Sequence, residues 1–385
     1  MNITFLVGNG FDRNLGLNTA YSDFIRYYKT LETDDEDIKR FRKHIKENEE
    51  LWSDAELEIG RYTDLLCFGD GDVFSKCHVD FCSCLADYLK KQETRINYVV
   101  SKQQIIDAFK RMNSLASPFP TQERDAINAI YSKYAEGHHL ISFICFNYTY
   151  TLDKCLDVVK QEKNAFGAHT YRNTVYSHVL ERIHHVHGSV DGGLVFGVND
   201  DTQITNLGVF DCDNGDIYKS QIVKIDANAS YQENADEIGR RLLMGSHLIY
   251  IYGMSIGDTD KLWWNRVCKW LLEKNDRHII IQKYTMPEKL VVPTSYQLAE
   301  RQHRRLLLSK STLSKSQQDS VEGRIHITSD NLFEEIKNIA DPTVEDQLRS
   351  IAYEMIKENE RKEEEKVLDE AVAQLQKEFD TLVYQ

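Results

Sequence analysis

The chain has 385 residues, a net charge of −14, a hydrophobic fraction of 41% and an aromatic fraction of 10%. This composition is typical of a globular protein with a buried core, long enough for one large domain or two smaller ones. The negative charge argues against long-range attraction to nucleic acid, and no apolar run is long enough to span a bilayer. The first residues also lack the pattern of a signal peptide. We therefore expect a cytoplasmic protein whose partners include neither a membrane nor nucleic acid.

The cysteines predict reduced thiols. Eight are present, and none belongs to a C-x-x-C pair. Cys82 and Cys84 form a single C-x-C, a spacing that does not build a structural zinc site. Thiols stay reduced in the cytoplasm. We accordingly expect no metal cofactor for this chain.

The opening stretch predicts a buried strand that turns into a helix. Residues 3–7 are apolar and rich in β-formers, and Gly8-Asn9-Gly10-Phe11-Asp12 follows directly. Glycines adopt backbone angles closed to other residues and let a ligand approach the main chain. The N–H groups of the next helical turn would then point at an anion such as a phosphate. The alternative is a tight turn without a ligand, and Asp12 suits either a ribose hydroxyl or a helix N-cap.

The rest of the chain predicts a long helical region followed by alternating strands and helices. Helical spacing begins at residue 21 and continues from 34 to about 135, which we interpret as an insertion after the first strand. Strands are predicted at 139–146, 182–186, 194–200, 247–252, 278–282 and 324–328, with helices near 150, at 230–243 and at 263–272. The fold class is therefore α/β, a doubly wound and mostly parallel Rossmann-like sheet. One domain is placed at residues 1–340 and a C-terminal helical tail at 341–385.

The tail has the pattern of an amphipathic helix. Its apolar residues recur at three- or four-residue steps and are Leu368, Val372, Leu375, Phe379 and Leu382. An apolar helix face left in water is a liability, so it should dock on the body of the protein or on a second copy. We therefore expect a homo-oligomer.

Polar side chains follow two of the predicted strands. Asn147 comes directly after the strand at 139–146, and His187 precedes Gly188 at the end of the next strand. Ligands of open parallel sheets bind beyond the carboxyl ends of the strands, so both residues should face the same crevice as Gly8. Asn147 could position a water or a ribose hydroxyl, and His187 could act as a general base. The alternatives are a helix N-cap, a structural histidine, or a metal site that uses His185 and His187.

Five blocks of residues together resemble the AbiH-type bacteriophage abortive-infection family. They are Gly8-Asn9-Gly10-Phe11-Asp12 with Gly16 to Phe24, Trp52-Ser53-Asp54-x-Glu56, Phe146-Asn147-Tyr148-Thr149, His185-x-His187-Gly188, and Tyr252-Gly253-x-Ser255-x-Gly257-x-x-Asp260. The resemblance extends over residues 1 to 285 as scattered blocks. It implies a role in antiphage defence, with a phage-derived trigger as a partner.

The same blocks resemble a diverged sirtuin-type NAD site. That resemblance implies glycines near the cofactor phosphates, Asn147 at the nicotinamide ribose, His187 as the base and Ser255 on the adenosine side. Thr149 departs from the sirtuin pattern, which has an aspartate at this point. The pair Asn9 and Asp12 is not sirtuin-like either. The residues that we expect to bind the nucleotide are Gly8, Asn9, Gly10, Phe11, Asp12, Gly16, Thr19, Tyr21, Thr149, Gly188, Gly253, Ser255 and Asp260.

The resemblance and the residues together predict an antiphage protein that binds and hydrolyses NAD or a related nucleotide, in the manner of an NAD glycohydrolase. Cleavage of the nicotinamide–ribose bond creates an oxocarbenium-like centre, at which an asparagine can orient water and a histidine can accept a proton. Protein deacylation is not expected, because the paired C-x-x-C motifs of the sirtuin zinc module are missing. The open alternatives are a non-catalytic nucleotide sensor and a metal-dependent nuclease built on His185, His187, Asp54 and Glu56.

Overall fold

The computed structural model describes residues 1–230, 235–286 and 293–343, and residues 1–339 form one compact unit. The strands within these ranges are β1 (Asn2–Val7), β2 (His139–Cys145), β3 (Ala168–Tyr171), β4 (Thr174–His185), β5 (Gly188–Ser189), β6 (Gly193–Leu194), β7 (Leu248–Tyr252), β8 (His278–Gln282) and β9 (Ile325–Thr328). The predicted tail helix around residues 368–382 lies outside the described residues.

The helices of the described ranges lie mainly between β1 and β2 and after β4. They are α1 (Gly10–Asn14), α2 (Tyr21–Tyr28), α3 (Glu36–Glu47), α4 (Ala55–Tyr62), α5 (Gly71–Glu93), α6 (Lys102–Lys110), α7 (Thr121–Lys133), α8 (Thr151–Lys160), α9 (Gly215–Ile222), α10 (Lys224–Ser230), α11 (Ala235–Met244), α12 (Lys261–Glu273), α13 (Pro293–Ser309) and α14 (Lys315–Val321). Over the described ranges, none of these helices has the length and apolar character that a membrane span requires.

A mostly parallel sheet organises the described residues. Seven strands follow the order β3-β4-β2-β1-β7-β8-β9. All neighbours pair in parallel except β3 and β4, which form an antiparallel hairpin at one edge. From β1 the chain builds outward through β2 and β4, and it then returns to the other side of β1 to add β7, β8 and β9. The predicted α/β class with a mostly parallel sheet is thus confirmed.

Helices cover both faces of the sheet, which explains why its central strands are almost continuously apolar. On one face, Phe5 stacks on Phe143 with ring centroids 5.2 Å apart, and Phe109 of α6 packs on Phe143. On the other face, Leu6 and Ile251 pack with side chains from α11 to α14. Successive residues of β1 therefore point into different layers, as the two-residue period of a strand requires.

The predicted helical insertion is present between β1 and β2, and it shares a second apolar core with residues 190–223. The large buried rings of this core are Phe24, Tyr28, Phe41, Trp52, Phe74 and Phe81. Trp52 points inward, as an ordinary helix would place it. The neighbouring acids do not all face solvent: Asp54 is exposed and caps α4, whereas Glu56 and Glu58 are buried. A buried carboxylate needs hydrogen-bond or ion partners, and those of Glu56 are Tyr21, Tyr148 and Lys224.

Two strand predictions differ from the structure. The strand predicted at 182–186 begins much earlier, at Thr174, because its first half pairs with β3 at the edge and keeps many side chains in solvent. The strand predicted at 194–200 shrinks to β6, because the backbone at Gly197 has φ 155° and packs on the carbonyl of Ile222. Neither the early start of β4 nor the backbone contact at Gly197 produces a periodic pattern of apolar residues in the sequence.

Candidate functional site

The carboxyl ends of four strands meet at one edge of the sheet, as the sequence predicts. Val7 of β1 is paired with Cys145 of β2 and with Tyr252 of β7, and Cys145 is paired in turn with His185 of β4. The residues that follow these strands therefore lie side by side. This carboxyl edge carries the candidate site.

The glycines at this edge bring two backbones into direct contact. A Cβ atom on Gly10 would lie 2.3 Å from Cα of Gly253, and Gly253 itself has φ 64°. The N–H of Gly10 donates to the carbonyl of Gly253 at 2.7 Å, and that of Gly8 to the carbonyl of Tyr252 at 3.0 Å. Glycine is thus required here for packing between β1 and β7. The N–H groups of Gly8 and Gly10, expected from the sequence to face a phosphate, are engaged within the chain.

Other residues that the resemblance assigns to the nucleotide hold the turn after α1. The side-chain amide of Asn9 donates to the carbonyl of Thr19 at 2.8 Å, and the Thr19 hydroxyl donates back to Asn9 Oδ1 at 2.5 Å. Gly16 has φ 89°, a left-handed conformation that suits glycine. Phe11 is buried against the rings of Tyr252 and Phe333. These contacts give Asn9, Thr19, Gly16 and Phe11 structural roles in the opening motif.

Asp12 is a buried carboxylate at the centre of the edge. It accepts hydrogen bonds from the hydroxyls of Thr149, at 2.6 Å, and Thr151. Burial raises the pKa of Asp12 to about 6, although the two hydroxyl bonds act in the opposite direction. Asp12 lies inside α1 and is not its N-cap, so the N-cap alternative is wrong. Thr149, which replaces the aspartate of the sirtuin pattern, is the partner of Asp12.

Asn147 is the unusual residue of the site. Its side chain is 5% exposed, and among the described residues neither Nδ2 nor Oδ1 has a hydrogen-bond partner. The amide interacts weakly with Asp12 and lowers the pKa of that carboxyl, but the two groups fall short of hydrogen-bond geometry. Buried amides are nearly always hydrogen-bonded, so an unpaired one indicates a place for a ligand or an ordered water. The helix N-cap alternative is also excluded for Asn147, because Tyr150 occupies that position on α8.

His185 orients the backbone at Asn147 and is held as an imidazolium. Its Nδ1 lies 3.0 Å from the carbonyl of Asn147, and its Nε2 lies 2.9 Å from the Asp153 carboxylate. Both neighbours are acceptors, so both ring nitrogens carry hydrogen. Burial opposes the charge, but the neighbouring Asp153 carboxylate outweighs it and raises the pKa of His185.

The predicted metal alternative at His185 and His187 does not form. His185 has no lone pair left for an ion, since both ring nitrogens donate. Its ring turns towards Asp153 in α8, whereas that of His187 turns towards Asp260 ahead of α12. In the described part of the chain, these histidines are not brought together with Asp54 and Glu56 as one ligand group.

His187 lies in a closed aromatic and acidic environment. It is 4% exposed, and its Nε2 lies 3.3 Å from Oδ1 of Asp260. The ring of Phe146 packs edge-on against it at 5.2 Å. The turn after it requires glycine, because Gly188 has φ 70° and a Cβ there would lie 1.9 Å from the carbonyl oxygen of Gly193. This turn fixes the imidazole beside the acid.

Lys224 joins the insertion to the sheet through a chain of buried charges. Its Nζ lies 2.8 Å from Glu56 and 3.1 Å from Asp260, and it also donates to the carbonyl of Thr259. We call the set Glu56, Lys224, Asp260 and His187 the buried charge network. Lys224 belongs to no motif that the sequence analysis recognised. The sequence gives little indication of this role, because Lys224 and its partner Glu56 are 168 residues apart.

The protonation states within the buried charge network follow from its contacts. Burial lowers the pKa of Lys224, but the two carboxylates outweigh burial and keep the amine charged. Burial would raise the pKa of Asp260, but Lys224 and His187 hold it well below its usual range. Tyr21, predicted to contact the nucleotide, instead donates to Glu56 at 2.8 Å, as does Tyr148 at 3.2 Å. Burial and the Glu56 charge raise the pKa of both phenols, so they stay neutral donors.

Two cavities adjoin the His187 turn. One of about 350 Å³ is lined by Ser189, Val190 and Leu194 after the turn, together with His78 of α5 and Ala227 of α10. A smaller one lies directly against His187, Lys224 and Asp260. The larger volume falls within the usual range for small-molecule sites. Ser255, assigned by resemblance to the adenosine side, is exposed beyond β7.

A model of one protein family matches residues 4–282 of the chain, and its description is bacteriophage abortive infection AbiH. The chain belongs to the AbiH family. That membership confirms the family recognised in the sequence and implies a role in phage abortive infection. No curated protein and no solved structure gives a significant match. The resemblance of this AbiH chain to sirtuin-type sites is not tested by these comparisons and stays a prediction.

Proposed function

We propose that this AbiH chain binds a nucleotide at the carboxyl edge of its sheet and hydrolyses its N-glycosidic bond, with NAD as the first candidate substrate. The strand order supports a dinucleotide site. Without the antiparallel β3, the six parallel strands run β4-β2-β1-β7-β8-β9, which in order of appearance is 3-2-1-4-5-6. That is the order of Rossmann sheets, which bind dinucleotides where the strand order reverses. Here the reversal falls between β1 and β7, beside the Gly10–Gly253 contact.

The unpaired amide of Asn147 is the observation that carries the proposal. A buried polar group without a partner costs about 1–3 kcal/mol, and a fold retains such a cost where a ligand relieves it. The amide both donates and accepts, so it can hold a ribose hydroxyl or the attacking water. Its backbone is fixed by His185, and the carboxylate of Asp12 lies next to it. A carboxylate beside the scissile bond would also stabilise a positively charged ribose.

The buried charge network supplies the groups that move the proton. In the proposed reaction, the water oxygen bonds to C1′ of the ribose as the C1′–N bond breaks. The electron pair of that bond leaves with nicotinamide, and the proton of the water passes to His187. Asp260 lies 3.3 Å from Nε2 of His187 and stabilises the imidazolium that results. Lys224 keeps Asp260 anionic for this purpose.

A nucleotide sensor without turnover is the second candidate, and the glycine contact favours it. The N–H groups of Gly8 and Gly10 are engaged with the end of β7, so in this structure they are not presented to a phosphate. A protein that only binds the nucleotide could use the larger cavity and leave this contact closed. The metal-dependent nuclease loses its basis, because its four residues do not converge in the described part of the chain.

The test is the release of nicotinamide from NAD by the purified chain, with and without extract from phage-infected cells. We expect turnover in the parent protein and a loss of about 100-fold to 10,000-fold in His187→Ala, as for removal of a general base. Asn147→Ala should lose most turnover too. His184→Ala is the matched control, since this histidine lies on β4 just before the turn that carries His187 and contacts the Ala235 carbonyl instead.

Binding must be measured alongside turnover. Calorimetry with NAD should show that His187→Ala retains binding and that Asn147→Ala weakens it. Binding by the parent protein without release of nicotinamide, even with infected-cell extract, would replace the enzyme with the sensor. Absence of any nucleotide binding by a folded parent protein would refute both candidates.

A further inference from the structure

Three histidines cluster at the amino edge of the sheet, far from the residues discussed above. His139 begins β2, His178 is its paired residue on β4, and His169 lies on the neighbouring β3. Each offers a ring nitrogen, and these three nitrogens all lie within 4.8 Å of one another. His139 and His178 are buried, while His169 is half-buried. We call them the histidine cluster.

The hydrogen bonds of two members fix where their lone pairs point. Nε2 of His169 lies 2.8 Å from the carbonyl of Ala135, and Nδ1 of His178 lies 3.1 Å from the carbonyl of Phe166. A carbonyl can only accept, so both of these nitrogens carry hydrogen. The neutral rings therefore keep their lone pairs on Nδ1 of His169 and Nε2 of His178. Those two atoms face each other at 3.2 Å.

Two lone pairs at this distance repel unless a cation lies between them. Zinc–imidazole bonds are about 2.0–2.1 Å long, so tetrahedral geometry places two ligand nitrogens roughly 3.3–3.4 Å apart. The observed 3.2 Å is close to that separation. Metal-binding histidines commonly donate their other N–H to a backbone carbonyl, which fixes the tautomer. His169 and His178 both have this arrangement.

His139 supplies the third nitrogen. It is 1% exposed, and neither of its ring nitrogens has a hydrogen-bond partner among the described residues. Its ring packs on those of His169 and His178, with centroids 4.2 and 4.4 Å away. In its neutral form, this buried ring keeps a lone pair on one of its two nitrogens. Rotation of this side chain would direct that lone pair at an ion held by the other two.

We propose that the histidine cluster binds a divalent transition-metal ion of the zinc type and thereby fastens the β3–β4 hairpin to β2. A set of imidazoles without a carboxylate selects ions such as Zn²⁺ or Co²⁺ over Mg²⁺ and Ca²⁺. With three protein nitrogens, the fourth position of a tetrahedral ion is open to water. This site is independent of the proposed nucleotide chemistry, because it lies at the opposite edge of the sheet.

The experiment uses the full chain without a polyhistidine tag, stripped with a chelator and titrated with Zn²⁺ and with Co²⁺. We expect one tight equivalent of either ion, a cobalt absorption spectrum typical of tetrahedral coordination, and a rise in Tm of several degrees with zinc. His169→Gln should weaken zinc binding about 100-fold or more and abolish the Tm shift, because it removes a ligand rather than an outer partner. The half-buried His303→Gln is the matched control and should bind like the parent.

Several outcomes would overturn the proposal. One such outcome is a parent protein that binds no ion at micromolar zinc; ¹⁵N spectra that show a proton shared between His169 and His178 would then identify that proton as the cation. Equal zinc binding by the parent and His169→Gln would place the ion elsewhere in the chain. Since His169 is half-buried, its variant should fold, and its circular dichroism is recorded before the titration. His139→Gln provides a second, independent removal of a ligand.

Discussion

At the carboxyl edge of the sheet, the amine of Lys224 lies between the carboxylates of Glu56 and Asp260. At the amino edge, the neutral rings of His169 and His178 direct lone pairs at each other across 3.2 Å. At the first edge, Lys224 pairs with both carboxylates, so each partner stabilises the others. At the second edge, the facing lone pairs repel each other unless the proposed ion lies between them. Substitutions at the two edges should therefore affect stability very differently.

The largest effect is expected where the carboxyl edge is closed by backbone packing. Gly10→Val would place a Cβ 2.3 Å from Cα of Gly253, and backbone atoms cannot move aside cheaply. We expect a loss of more than about 3 kcal/mol, above the usual range for overpacking, and little soluble protein. Gly323→Ala, which meets nothing within 4 Å, is the control in chemical denaturation.

The next largest effect is expected for Lys224→Met. This change leaves Glu56 and Asp260 buried without their cation, and breaking such a pair costs about 3–5 kcal/mol. Lys219→Met is the matched control, because Lys219 forms a solvent-accessible pair with Asp201 and should cost at most about 1 kcal/mol. Urea unfolding of both variants measures the difference. Equal losses in the two would contradict the buried charge network.

A smaller, pH-dependent effect is expected at Asp12. Its pKa is raised from 3.8 to about 6 in the fold, so the folded state holds the proton more tightly than the unfolded chain. The resulting stabilisation is present below about pH 4 and is lost as the pH rises through 6, by roughly 3 kcal/mol at most. Asp12→Asn should remove this component. The free energy of unfolding is measured for both proteins from pH 4 to 7. Over this range the parent should lose stability relative to Asp12→Asn, and parallel curves would refute the raised pKa of Asp12.

The smallest effect is expected for His139→Leu in chelator-treated protein. The imidazole makes no hydrogen bond there, so replacing it with an apolar side chain of similar volume should change stability by less than about 1 kcal/mol. In zinc-saturated protein the same substitution should remove the stabilisation by the ion. Thermal unfolding with and without zinc compares the two. A large loss in the metal-free state would show that the histidine cluster is already satisfied without an ion.

The sequence predicts the parallel strands well, because short and nearly continuous apolar runs such as β7 and β8 are typical of strands buried on both faces. It also places Asn147 and His187 at the same sheet edge, since the carboxyl ends of parallel strands must meet there. It does not predict Lys224, whose partners come from an insertion helix and from a loop far along the chain. It does not reveal His139, His169 and His178 as a set either. Their spacing matches no metal motif, and only the pairing of β3, β4 and β2 brings them together.

The structure adds a packing reason for the glycines to the ligand-binding reason that the sequence suggests. Gly8-x-Gly10 after an apolar strand is typical of a phosphate-binding turn, but the same residues are required when two backbones touch. The partner in that contact, Gly253, is distant in sequence, so the choice between the two reasons depends on tertiary structure. A sequence motif shows that a position must lack a side chain, but it does not show whether a ligand or another backbone occupies the space.

The separation of Glu56, Lys224 and Asp260 along the chain also matters during protein synthesis. Lys224 follows Glu56 by 168 residues, and Asp260 follows Lys224 by 36. A nascent chain can therefore form the insertion helices early, while their ion contacts wait for segments that leave the ribosome much later. Fragments that end before residue 260, whether from interrupted translation or from proteolysis, contain His187 without the acid that lies beside it.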